Sequence, residues 1–321
     1  MRKVLPHRHQ PNPLLDLTPA QGVKLTARHY AYLKISEGFN HRCHSSIIPS
    51  ISGNLVISPI GSMMDEAGGF VRAGVRELLV VSRDTSACSI DLKCQTDFWQ
   101  GRPLKANLES LAAALSELGI WRRLHYVYPY PHADALIPMM AEGKLLPYIY
   151  MRLQHGAQTV LQRMKRPAGT EKTVDRSARW WGLCPDLTIR STFIVGSPGE
   201  TEAEFETLLQ FIETAQLDRV GCFQYSGVKG AAANDLPDPV SEELKADRWK
   251  QFMALQQSIS ASKLQRKVGA TQQILIDTVP DEGSTGRTRA DAAEIGGMVH
   301  PLGVTEFRPR GAGAGRDYRC R

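Results

Sequence analysis

Residues Ser191 to Leu209 read S-T-F-I-V-G-S-P-G-E-T-E-A-E-F-E-T-L-L. The first five favour a buried strand, and the glycines and proline that follow open it into a short loop. T-E-A-E then has the form of a capping box, in which a threonine and the glutamate three residues on satisfy each other's backbone N–H groups. Phe205, Leu208, Leu209, Ile212 and Ala215 recur at helical spacing behind it and give the helix one apolar face. Strand, loop and capped helix in immediate succession make one β/α unit, and a chain of such units lays its strands parallel.

The same plan extends outward in both directions. Glu77 to Asp84 (E-L-L-V-V-S-R-D), Arg123 to Pro131 (R-L-H-Y-V-Y-P-Y-P) and Arg219 to Ser226 (R-V-G-C-F-Q-Y-S) each read as a strand running into a polar loop. Leu108, Leu111, Ala112, Leu115 and Leu118 mark a helix that stops near Gly119. An earlier helix is expected to start with Ser58 as its cap and Pro59 in its first turn, and to run through Gly68-Gly69 at a cost of about 1 kcal/mol for each glycine. A long helix is expected from about Ser241 to Lys267, with Trp249, Phe252, Met253 and Ile259 turned inward. From about residue 270 the texture changes to short β-rich runs separated by turns, and the Gly/Arg-rich end from Arg308 is expected to be disordered. The fold class is therefore α/β, with a small β module after it.

Composition narrows the setting. The 321 residues are 42% hydrophobic and carry 39 Lys+Arg against 33 Asp+Glu, a formal charge of +6, which favours acidic partners such as RNA or ribosomal surfaces. The first residues lack the apolar run of a signal peptide, and no stretch reaches the ~20 apolar residues of a membrane span. The expected place is the cytosol. Six scattered cysteines in a chain of this size read as free thiols or metal ligands rather than a disulfide framework.

The loop after Y-L-K-I-S-E-G is Phe39 to Ser46, F-N-H-R-C-H-S-S. Together with I-I-P-S, L-V-V-S-R-D-T-S, L-H-Y-V-Y-P-Y-P-H, L-Q-H-G, M-K-R-P, R-S-T-F-I-V-G-S-P-G-E-T and L-D-R-V-G-C-F-Q-Y-S, it resembles the radical S-adenosylmethionine methylthiotransferases of the RimO type, in the same order, from about His7 to Met298. The resemblance implies a partial (β/α) TIM-like barrel of the radical SAM type at 29–267 and a truncated, TRAM-like all-β module with a basic tail at 268–321. Residues 1–28 would be a linker remnant of a missing N-terminal domain, the one that carries sulfur in the family. The implied activity adds a methylthio group to an aspartate of a small-subunit ribosomal protein, with S-adenosylmethionine and a [4Fe-4S] cluster as cofactors. RNA contact through the basic C-terminal module is a further implied partnership.

The family binds three irons through C-x-x-x-C-x-x-C, and here those positions are Phe39, Cys43 and Ser46. Cys43 alone keeps a thiolate, phenylalanine has no lone pair, and a serine hydroxyl is a poor ligand for a soft cluster. His41 and His44, or Cys88 and Cys94 in another loop, are the remaining donors within the sequence. The chain also has Tyr150 and Arg152 where the family tends to have Asp and Pro. Resemblance places the cofactor against Ser82, Asp84, His125, Tyr128, Gln154 and Arg190, with Arg190 able to pair with its carboxylate and Asp84 with a ribose hydroxyl or the amino group. Read as residues alone, Arg190 is equally a structural ion-pair residue and His125 a hydrogen-bonded core histidine. Two functions follow: a radical methylthiotransferase, inactive as this chain, or a non-catalytic remnant that binds S-adenosylmethionine or a ribosomal or RNA partner.

Overall fold

The computed structural model describes residues 26–38, 47, 54–85, 96–128, 131–166, 171–278, 284–301 and 317–319. Its strands run β1 (Tyr30–Lys34), β2 (Ser36–Glu37), β3 (Val56–Ile57), β4 (Glu77–Val81), β5 (Thr96–Trp99) and β6 (Arg102–Lys105). They continue as β7 (Trp121–Leu124), β8 (Tyr148–Gln154), β9 (Thr188–Val195) and β10 (Arg219–Gln224). Last come β11 (Thr271–Thr278), β12 (Thr285–Thr288) and β13 (Asp317–Arg319).

Six of these are parallel. They form sheets of order β1-β4-β7 and β10-β9-β8, and the two meet where Leu146 N–H donates to Arg122 O and Val127 N–H to Tyr150 O. Side chains alternate along each strand. Leu33, Leu78, Val80, Leu124, Ile149, Met151, Leu153, Ile189, Phe193 and Val195 are buried in the main core with the helices. Tyr32, Leu79, Tyr150, Arg152 and Thr192 occupy the alternate positions, on what is here the inner face. Two antiparallel hairpins, β2-β3 and β5-β6, sit beside this frame.

The helices pack where their sequence directs. Helix Glu202–Ala215 starts with the full capping box at Thr201 and Glu204 and buries Phe205, Leu208, Phe211, Ile212 and Ala215. Helix Glu242–Gln265 is capped by Ser241, whose hydroxyl accepts from Leu244 N–H. Phe252 and Ile259 are buried on it, whereas Trp249 stays 36% exposed. Its indole is spent on Cys222 O, 2.9 Å away, which guards the outer edge of β10. The cap expected at Ser58 is not formed: helix Ile60–Arg72 has Pro59 in the N-cap position and no side-chain cap. Ser58 N–H donates to Ile35 O at 3.1 Å, which holds that residue just beyond β3, two positions before the helix begins.

The antiparallel sheet β12-β11-β13 closes the chain. Its connections dock on the starts of the parallel strands. Glu77, fully buried at the start of β4, takes Arg123 Nε at 2.8 Å on one oxygen and Arg287 Nη1 at 2.5 Å on the other. Arg287 also grips Asp277 through two bonds of 2.8 and 2.9 Å, and His29 Nε2 completes that carboxylate at 2.7 Å. Tyr30 donates to Glu294, and Arg219 pairs with Asp291. Burial would raise the Asp277 carboxyl, yet its bonds to His29 and Arg287 hold it below its ordinary value. No helix among the described residues is long and apolar enough to cross a membrane.

Candidate functional site

The C-terminal ends of the parallel strands are where loops can present groups to a ligand, and most of the residues singled out by sequence lie there. Ser82, just beyond β4, is 7% exposed; its hydroxyl bonds that of Ser36 and accepts from Asp84 N–H at 3.2 Å. Asp84 is buried beside it at 3% exposure. The next residue, Thr85, ties this loop to the next strand end: its N–H donates to Tyr126 O at 3.0 Å and its hydroxyl to His125 O. That double tie fixes Tyr126 at φ +58°, a left-handed conformation uncommon outside glycine.

His125 follows β7 and is 3% exposed. Burial, with the Arg123 and Arg190 charges adding to it, pushes its pKa down to about 3, so the imidazole is neutral. The rings of Tyr148, Tyr126 and Tyr150 surround it at centroid distances of 5.7, 5.8 and 6.4 Å. Its Nε2 has no hydrogen-bond partner within the described chain, and neither have Tyr148 Oη or Arg190 Nε. Arg190 lies near the start of β9 rather than its end. One guanidinium nitrogen donates to Ile295 O in the C-terminal segment, and the cation sits 5.6 Å from the Tyr150 ring. The structure thus brings Arg190 and His125 into one electrostatic neighbourhood on the inner face, below the rim where Ser82 and Asp84 lie.

Gln154 ends β8 at φ +72°, where the pairing with β9 slips, and is 7% exposed. His155 is fully buried: its Nδ1 accepts from Ala157 N–H at 2.9 Å, which leaves Nε2 as the protonated nitrogen, 3.5 Å from Glu200. Tyr128 stands apart, its hydroxyl accepting from the Arg166 guanidinium. Cys43, Phe39 and Ser46, as well as Cys88 and Cys94, lie outside the described residues. Among the described residues no group of three His, Cys, Asp or Glu could hold a metal ion.

The loop Gly196–Glu200, which leads into the helix Glu202–Ala215 and presents backbone N–H groups, already holds an anion. The Glu200 carboxylate accepts from Gly196 N–H at 2.9 Å and Ser197 N–H at 3.3 Å and pairs with Arg248 at 2.9 Å. Burial works against the charge, but His155, the Gly196 N–H and Arg248 together hold the carboxyl below its ordinary value. The chain's own side chain occupies the nest.

Of the groups that crowd the rim itself, sequence reasoning named Arg152 and Tyr150 only as departures from the family and passed over Lys34 and Arg83. Arg152 packs its guanidinium 4.1 Å from the centroid of the Tyr126 ring, and that ring lies 5.0 Å from Tyr150. Burial and the nearby Arg152 charge pull the Arg83 guanidinium down; burial and Arg83 do the same to Lys34. The alternation in Y-I-Y-M-R-L-Q, which puts Tyr148, Tyr150 and Arg152 on one face, is the signal that points to them.

No family model matches the chain. A ribosomal protein uS12 methylthiotransferase RimO from Cellvibrio japonicus is 59% identical over 308 residues, covering 94% of this chain and 68% of that protein. The protein of the same name from Marinobacter nauticus is 57% identical over 309 residues, covering 96% of this chain and 68% of its own length. Among solved structures, coproporphyrinogen III oxidase from Escherichia coli, described as a radical SAM enzyme, superposes with a TM-score of 0.50 at 13% identity over 77% of this chain and 60% of that one. That likeness concerns the fold alone.

Proposed function

Because the chain belongs to the RimO family of ribosomal protein uS12 methylthiotransferases, we propose that its parallel-strand domain is a partial (β/α) barrel that binds S-adenosylmethionine and the ribosomal protein uS12. Its family reaction is transfer of a methylthio group to an aspartate of that protein. The identity of 59% across 94% of the chain carries this reading. We assign 29–267 to the barrel and 268–321 to a TRAM-like module, and we infer cytosolic work on the small ribosomal subunit.

The described residues fit S-adenosylmethionine. His125 Nε2, Tyr148 Oη and Arg190 Nε are buried polar atoms without a hydrogen-bond partner among the described residues, on the inner face below the rim where Ser82, Asp84 and Gln154 lie. A carboxylate or hydroxyl brought there satisfies groups that are costly to leave unpaired. Tyr128 would serve indirectly, through Arg166.

The donor set does not fit a [4Fe-4S] cluster. Phe39, Cys43 and Ser46 supply one thiolate where three are needed, so we infer that this chain recognises its ligands but lacks the radical step. Anaerobic reconstitution with iron and sulfide separates the alternatives. The expected wild-type product is colourless and binds S-adenosylmethionine in calorimetry, while Phe39→Cys with Ser46→Cys regains iron. A stoichiometric, reducible cluster in the wild type overturns the loss of radical chemistry; no binding of either S-adenosylmethionine or uS12 overturns the recognition role.

A further inference from the structure

We propose that the C-terminal rim of the parallel sheet is a carboxylate site, in which the Arg152 guanidinium, stacked on Tyr126 and flanked by Arg83 and Lys34, takes an acidic side chain of a protein substrate. The inference rests on the reading above for the identity of that substrate, and on the rim itself for the chemistry.

Three features carry it. First, the guanidinium is oriented before any ligand arrives. Tyr126 is locked in a left-handed conformation by the Thr85 N–H on its carbonyl, and its ring holds Arg152 at 4.1 Å. A stacked guanidinium keeps its N–H edge available for two parallel bonds to a carboxylate. Second, the cations converge although they come from separate strands. Lys34 ends β1 in register with Val81, the last residue of β4, Arg83 lies two residues beyond Val81, and Arg152 belongs to β8. Burial lowers the proton affinity of Arg83 and Lys34, and the next cation along the rim, Arg152 for Arg83 and Arg83 for Lys34, adds to it. Third, the crowding is only partly answered. Glu37 pairs with Lys34, while Arg152 meets a neutral ring, and among the described residues no carboxylate pairs with it. Like charges held together across strand ends are relieved by an anion placed between them. A single fork framed by tyrosines suits one carboxylate, whereas an RNA backbone needs an extended exposed track of cations.

The full chain is titrated with a uS12 peptide bearing the acceptor aspartate, with its Asp→Asn counterpart, and with N-acetyl-aspartate amide and N-acetyl-asparagine amide. The expected result is about tenfold weaker binding of each asparagine ligand to wild type, and no such preference in Arg152→Gln. Arg152→Lys should restore part of it. Equal binding of the aspartate and asparagine ligands overturns the proposal, as does an undiminished preference in Arg152→Gln. Binding of N-acetyl-aspartate amide that depends on Arg152, without binding of the peptide, upholds the site and refutes the substrate reading. Displacement of aspartate by a short RNA at lower concentration than by free aspartate overturns the carboxylate assignment. Should Arg152→Gln fail to fold, the same comparison in Arg83→Gln decides, because the flanking cation must also shift the preference.

Discussion

The two ends of the parallel strands solve the problem of charge in opposite ways. At the N-terminal ends, Glu77, Arg123, Arg287, Asp277 and His29 close on one another through bonds of 2.5 to 2.9 Å, and the C-terminal segment lies over them. At the C-terminal ends, Tyr126 and Gln154 hold left-handed conformations, three cations crowd the rim, and Arg152 rests on a ring. Charges that answer one another make a plug; at the rim, by contrast, Arg152 meets a ring and, among the described residues, no carboxylate. The difference gives stability to one end and, on the reading proposed above, binding to the other.

The comparison breaks most directly at Glu77. Glu77→Gln leaves Arg123 and Arg287 buried around a neutral amide, and a loss of about 3–5 kcal/mol in urea denaturation is expected. A loss below about 1 kcal/mol would mean that the plug does not hold the fold. Next in size is Gly156, behind the rim, where an added Cβ would stand 2.8 Å from Phe211 Cβ and 2.9 Å from Leu208 Cα. Gly156→Ala should cost about 1–3 kcal/mol, which would show that the receptor end is tight where it backs onto helix Glu202–Ala215.

Acidification provides a third probe. The folded pKa of His125, about 3, lies below the ordinary 6.5, so the unfolded chain takes up a proton between those values while the folded chain does not. Stability from this source is complete above pH 6.5 and declines on acidification toward pH 3, at up to about 1.4 kcal/mol per pH unit. His125→Gln should flatten the decline between pH 6.5 and 5, before the depressed carboxyls of Glu200, Glu204 and Asp277 begin to protonate. The smallest effect belongs to Gln154→Asn. Asparagine tolerates φ +72° better than glutamine, so the stability in urea denaturation should rise slightly, by a few tenths of a kcal/mol, while S-adenosylmethionine binding weakens. Tighter binding in that variant would remove Gln154 from the site.

Much of the frame was legible before any coordinate. The capping box at Thr201, the long helix that starts at Ser241 and the strand runs at Glu77, Arg219 and Ser191 sit where the sequence puts them. Ser58 was misread because the backbone of the residue that looks like a cap is tied to Ile35 O, twenty-three positions earlier, and Pro59 takes the cap position instead. The site was legible only in outline. Ser82, Asp84 and Gln154 are strand-end residues and stay so, whereas Arg190 turned out to sit near a strand start against Ile295.

Alternation of residue types, the capping pair and the count of thiolates in the Phe39–Ser46 loop are properties of neighbours, and the sequence determined them by itself. Tertiary structure alone decided that Glu200 fills its own loop, that Arg287 reaches Glu77 across 210 positions, and that Lys34, Arg83 and Arg152 share a rim. The physical reason is register. Which side chains meet across strands depends on how distant backbones pair and on a left-handed turn at Tyr126, and no local pattern encodes either.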